Sequence, residues 1–220
     1  MNGPRIALIS AVPAAIAPAV DALREGFPEA VAWNLLDDRL LADATERGGP
    51  DAELAARMER LIAHAVRGGA AAVLLTCSLY GPVAGRAAAG VPVLAPDQAA
   101  FAELGAGRFG RVLVVASFAG ARDDSTARLR AALRAAGAAV EVLGVAVPDA
   151  AAAAGAGDAA GLVTALAGGC AGRLAGVDAV FLAQFSLAPA ARGLAYALGV
   201  PVVSGPASAA RALRSALGRF

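Results

Sequence analysis

The apolar run Val73-Leu74-Leu75 passes directly into the small polar residues Thr76, Cys77 and Ser78, and Pro82 then opens an Ala-rich segment. This pattern predicts a buried parallel strand whose carboxyl end meets a helix start. Comparable apolar runs predict strands at Arg5–Ile9, Ala30–Leu35, Val91–Leu94, Arg111–Val115, Val140–Val147, just before Gln184, and at Val200–Val203. Between them lie helical patterns. One runs from the loop at Ala11–Pro13 to about Glu25, and one from an Asp51 N-cap to Arg67, where Gly68-Gly69 stops it. Others follow Pro82, end near Gly105–Gly107, span Ser125–Ala136 ahead of Gly137, end near Leu174, follow Pro189, and close the chain at Pro206–Gly218. The Ala/Gly-rich stretch Asp149–Asp158 reads as a mobile loop or a weak helix start. Strands alternating with helices imply parallel sheets and an α/β fold.

The pattern also repeats. Asp178 to Pro189 follows the same course as the Val73–Pro82 stretch, with Val180 matching Val73 and Pro189 matching Pro82 at one common offset. Each copy continues to a Gly-Val-Pro-Val unit, Gly90–Val93 and Gly199–Val202. The opening strands Arg5–Ile9 and Arg111–Val115 match as well. The chain thus reads as an internal duplication giving two pseudo-symmetric parallel-sheet domains, residues 1–97 with 206–220 and residues 98–205. In this pairing Gln184 stands where the first copy has Cys77.

Composition narrows the function. The 220 residues carry 19 basic and 18 acidic groups, a balance that argues against nucleic acid or a membrane surface as partner. Every basic residue is Arg, so lysine Schiff-base and pyridoxal-lysine chemistry is excluded. No apolar run approaches the roughly 20 residues a spanning helix needs, and residues 1–20 lack a signal-peptide pattern. Two Cys at unrelated positions point to a reducing cytoplasm without disulfides. One His and two distant Cys make no usual metal set, so no metal is expected. Gly81, Gly85 and Gly90 lack the companions of a phosphate loop.

Cys77 is the leading chemical candidate. Ligands of open α/β sheets gather at strand carboxyl ends, and a helix start or polar neighbours there lower a thiol's pKa. Thr76 and Ser78 flank it and can hold a carboxylate. The competing reading is a small buried apolar residue, which suits Cys170 better. His64 is expected to pack structurally on its helix. Asp37 and Asp38 form a solvated turn or a cleft rim. Ser125-Thr126 either cap a helix or touch a ligand, and Arg122, Asp123 and Asp124 form a solvated loop.

The duplicated half-chain, the Thr76-Cys77-Ser78 strand end, the Val114–Phe118 to Ser125-Thr126 segment and the Val-Pro-Val strands resemble the aspartate/glutamate/hydantoin racemase superfamily. The resemblance covers nearly the whole chain. It implies two similar α/β domains with the active site in the cleft between them, and catalysis without a cofactor by one Cys from each domain. On this resemblance Cys77 is the first-half cysteine. The substrate is a small carboxylate held by Ser10, Thr76, Ser78, Ser117, Gln184 and Ser186, and a homodimer is the default assembly. This chain has Gln184 at the second cysteine's place, and an amide does not carry protons near neutral pH. Three outcomes stay open: a racemase with another second base, a one-cysteine lyase of the arylmalonate decarboxylase kind, or a protein that binds its acid without turnover.

Overall fold

The computed structural model describes residues 3–218. The chain divides into two compact units, one running to Gln98 and resuming at Ala209, the other Ala99–Ser208. The first unit contains β1 (Arg5–Ser10), α1 (Ile16–Gly26), β2 (Val31–Leu36), α2 (Leu40–Glu46), α3 (Ala52–Arg67), β3 (Ala72–Leu75), α4 (Gly81–Ala84) and β4 (Val93–Leu94). The chain then follows α5 (Gln98–Ala106), β5 (Arg111–Ala116), α6 (Ala119–Ala135), β6 (Glu141–Ala146), α7 (Asp149–Ala156) and α8 (Ala159–Cys170). It ends with β7 (Ala179–Leu182), α9 (Ala191–Leu198), β8 (Val202–Ser204) and α10 (Gly205–Leu217). Each unit holds a four-stranded parallel sheet, and the two strand orders, β2-β1-β3-β4 and β6-β5-β7-β8, follow one plan.

The central strands are apolar runs because both their faces are covered. In the first unit Leu54, Met58, Ile62 and Ala65 recur at helical spacing along α3 and pack on Ala7, Ile9, Val73 and Leu75. Burial of each of the larger side chains stabilises by about 1.5–3 kcal/mol. The Asp51 carboxylate accepts from Leu54 N–H at 2.9 Å and starts this helix. In the second unit alternate residues of β5 part to opposite faces. Leu113 and Val115 meet Leu162 and Leu166 of α8, while Val112 and Val114 meet Phe101, Leu104, Leu129 and Leu133 of α5 and α6.

Two local expectations are corrected, one open alternative is resolved, and one helix is added. The Ala-rich segment after Pro82 is helical only to Ala84, because Gly85 and the Gly90-Val91-Pro92 unit outweigh the propensity of the alanines. Asp149–Ala156 forms helix α7, and Gly157 ends it with φ +68°, a left-handed conformation that suits glycine. Leu40–Glu46 forms α2, a helix the apolar pattern did not announce. Helix α6 starts at Ala119, so Ser125 and Thr126 lie buried inside it and cap nothing, and Arg122 and Asp123 pair on its surface. Among the described residues no helix is long and apolar enough to cross a membrane.

Two buried polar groups give opposite tests. Thr126 Oγ1 has no hydrogen-bond partner, the one buried side-chain N or O atom so placed among the described residues. Thr126→Val keeps the shape and removes the orphaned hydroxyl. It is expected to stabilise the protein by about 1–2 kcal/mol, read as a higher Tm; an unchanged or lower Tm contradicts the packing described. Tyr80 is fully buried, and its hydroxyl donates to Leu40 C=O at 2.8 Å. Burial first, then the neighbouring Cys77 and Asp37, push its phenol from 10.0 up to about 12. The phenol ionises more readily in the unfolded chain, so its contribution is intact below pH 10 and is lost as pH rises towards 12, roughly 3 kcal/mol in all. Tyr80→Phe is expected to cost about 1 kcal/mol at neutral pH and to flatten that alkaline fall in urea titrations.

Candidate functional site

Each sheet ends in a polar edge at the carboxyl ends of its two central strands. In the first unit the ladder between β1 and β3 continues one rung beyond β3, with Thr76 N–H donating to Ile9 C=O at 3.0 Å. That rung sets Thr76 beside Ser10, and the Thr76 hydroxyl donates to Ser10 Oγ at 2.9 Å. Both residues are buried. Cys77 then leaves the ladder in an extended conformation (φ −113°, ψ 118°) and caps a short 3-10 turn, Ser78–Tyr80, whose Tyr80 N–H returns to Cys77 C=O at 3.2 Å. Its thiol is half-buried against the first core, and Ser78 is half-buried in the turn.

The second unit repeats this backbone course with other side chains. Ala183 N–H donates to Val115 C=O at 2.9 Å, and Gln184 takes an extended conformation (φ −132°, ψ 142°) at the start of the 3-10 turn Phe185–Ala190. Leu187 N–H returns to Gln184 C=O at 3.1 Å, as Tyr80 does to Cys77. Gln184 Oε1 accepts from Ser117 N–H at 2.7 Å and from the Ser117 hydroxyl at 3.0 Å. Ser117 is buried, and Ser186 is half-buried in the turn. The structure therefore joins Ser10 to Thr76 in one unit and Ser117 to Gln184 in the other. Cys77 follows Thr76 directly at its strand end, and Ser186 lies two residues after Gln184, inside the turn that Gln184 precedes.

The remaining candidates separate from this chemistry. Cys170 is wholly buried in a core of the second unit, and burial pushes its thiol up. His64 is exposed on α3 with its ring 5.8 Å from that of Trp33, a surface packing contact. Asp37 is not a freely solvated turn residue. Arg57 donates to both its oxygens, at 2.6 and 2.7 Å, and reaches Asp43 at 3.1 Å with its third nitrogen. This guanidinium fork ties the end of β2 to α2 and α3. Together with the Tyr80 hydroxyl on Leu40, it braces the flank of the Cys77 turn. Sequence reasoning missed both, although Tyr80 lies within the stretch that drew attention to Cys77. It also missed Phe118, an aromatic residue 51% exposed immediately after Ser117. Among the described residues no three His, Cys, Asp or Glu side chains cluster as metal ligands.

The strand end of the first unit offers the thiol of a half-buried cysteine beside neutral hydroxyls, and a thiol can move a proton. The strand end of the second unit offers an amide and hydroxyls, groups that can hold an anion by hydrogen bonds. No curated protein matches the chain by sequence. Solved structures match it in fold. An aspartate racemase from Picrophilus torridus superposes with a TM-score of 0.75 at 14% identity, covering 98% of this chain and 95% of that one. Allantoin racemase from Klebsiella pneumoniae gives 0.71 at 22% identity, with 97% and 87% covered. An arylmalonate decarboxylase gives 0.65 at 24% identity, with 99% and 94% covered. At such identities the likeness speaks for the fold. The sequence profile of the Asp/Glu/hydantoin racemase family matches residues 16–213, nearly the whole chain. On that match this protein is a member of the Asp/Glu/hydantoin racemase family.

Proposed function

We propose that this protein is a cofactor-independent isomerase acting at the α-carbon of a small carboxylate, with Cys77 as the acid/base. The observation that carries the reading is the half-buried Cys77 thiol at the carboxyl end of β3, in a chain of a racemase family. In the reaction the Cys77 thiolate takes the α-proton, forming S–H, and the electron pair of the C–H bond passes into the carboxylate as an enolate. A second acid or water then delivers a proton to the opposite face of the α-carbon, and Cys77 S–H loses its proton to solvent, which completes the turnover. Ser10, Thr76 and Ser78, which share the strand end of Cys77, supply polar surroundings for the carboxylate.

A second reading draws on Gln184. The residue that matches Cys77 in the repeat carries an amide, which transfers no proton near neutral pH. A one-cysteine lyase fits that asymmetry. There the bond between the α-carbon and a carboxylate breaks, CO₂ leaves, and Cys77 S–H protonates the resulting enolate on a single face. A protein that binds the acid without turnover is the outcome to be told apart from both.

Incubation in heavy water with aspartate, glutamate, a hydantoin and an arylmalonate distinguishes these cases. The isomerase reading expects α-deuteration of at least one of the first three, and the lyase reading expects CO₂ loss from the last. In either case Cys77→Ala should slow the reaction by about 10²- to 10⁴-fold. Thermal stabilisation by these ligands without exchange or CO₂ loss would mean a binder. Iodoacetamide gives a second check. Cys77 is expected to take the label and Cys170 to stay unmodified in the native protein, with turnover lost in step with labelling. Turnover that survives full labelling of Cys77 would rule out its role as acid/base.

A further inference from the structure

The two bonds between Ser117 and Gln184 decide which way the amide faces. A backbone N–H only donates, so the Gln184 atom 2.7 Å from Ser117 N is the carbonyl oxygen. A reversed amide would set two N–H groups against each other at that distance. With Oε1 so placed, the Ser117 hydroxyl 3.0 Å away must donate to it as well. Both donors of Ser117 are therefore used within the protein. A carboxylate or enolate oxygen needs donors, and Ser117 has none left for it. Gln184 Nε2 is placed differently. It has no partner among the described residues, and it is not one of the buried atoms left without one, so the nitrogen reaches solvent.

From this geometry, and resting on the carboxylate chemistry proposed above, we propose that Gln184 Nε2 is the donor by which the second unit holds an anionic oxygen of a small carboxylate. Ser117 is then a positioning residue that aims the amide without itself touching substrate. An amide held by two hydrogen bonds at its oxygen does not have to reorient as charge grows on the ligand, which is what makes a preset donor effective. The pairing also gives Gln184 its polarity. It presents hydrogens only, and stabilises negative charge without removing a proton.

The test is calorimetric titration of the full-length protein with sodium malonate at mildly alkaline pH, with thermal unfolding run on every variant. Gln184→Glu can still accept from Ser117 but sets a carboxylate oxygen where Nε2 stood. It is expected to weaken malonate binding by about 10- to 100-fold, the worth of a hydrogen bond to a charged group. Gln184→Met keeps the length, loses the donor and adds no charge, and is expected to fall in the same range. Ser117→Ala keeps the N–H bond and drops the hydroxyl, for a loss of about fivefold that Ser117→Thr should restore. Wild-type affinity in both Gln184 variants overturns the assignment, as does a wild-type protein that does not bind malonate. A loss in Ser117→Ala that Ser117→Thr fails to restore overturns the positioning role. If malonate binds through Gln184 while no substrate is turned over, the chemistry proposed for Cys77 fails and this assignment holds.

Discussion

The constraint on which the structure depends is the double-sided burial of the central strands. β1 and β3, like β5 and β7, have apolar neighbours on both faces, so every backbone N–H and C=O along them must be paired in the ladder. The ladder runs on until the chain can reach polar surroundings. Its last rungs, Thr76 to Ile9 and Ala183 to Val115, set where each chain departs. Cys77 and Gln184 are the first residues beyond those rungs. Their shared extended backbone and the 3-10 turns that follow are consequences of where pairing stops.

What differs between the two strand ends is side-chain chemistry laid over a common course. One carries a thiol beside paired hydroxyls, the other an amide whose oxygen is tied down by Ser117. A thiol exchanges protons, and an amide offers hydrogens without surrendering them. The chain belongs to the Asp/Glu/hydantoin racemase family, and its two strand ends differ in these residues.

Much of the fold was legible because it rests on burial and repetition. The apolar runs named the eight strands of the described residues, Asp51 and Gly68 bracketed α3, and the Gly-Val-Pro-Val units marked β4 and β8. The errors lie where local propensity competes with context. Alanines promised a long helix after Pro82 that glycines cut short, and similar alanines built α7 where glycines suggested a loop. At the site, Cys77 stood out by its place at a strand end. The bond from Ser117 to Gln184 did not, because it joins residues 67 positions apart whose meeting is set by the register of β5 on β7. Asp37 was misjudged for the same reason. Its partner Arg57 lies 20 positions away on α3, and nothing in the turn itself announces it.

That partner has one more implication. Helix α2 has only seven residues and buries little beyond Leu40 and Ala44, too short a segment to persist by its own propensity. What retains it is the planar head of Arg57, which spends all three of its nitrogens on two carboxylates at once. A lysine would match the charge but has a single nitrogen and no plane to divide between them. The bracing of the thiol's flank thus depends on the geometry of the guanidinium rather than on mere positive charge.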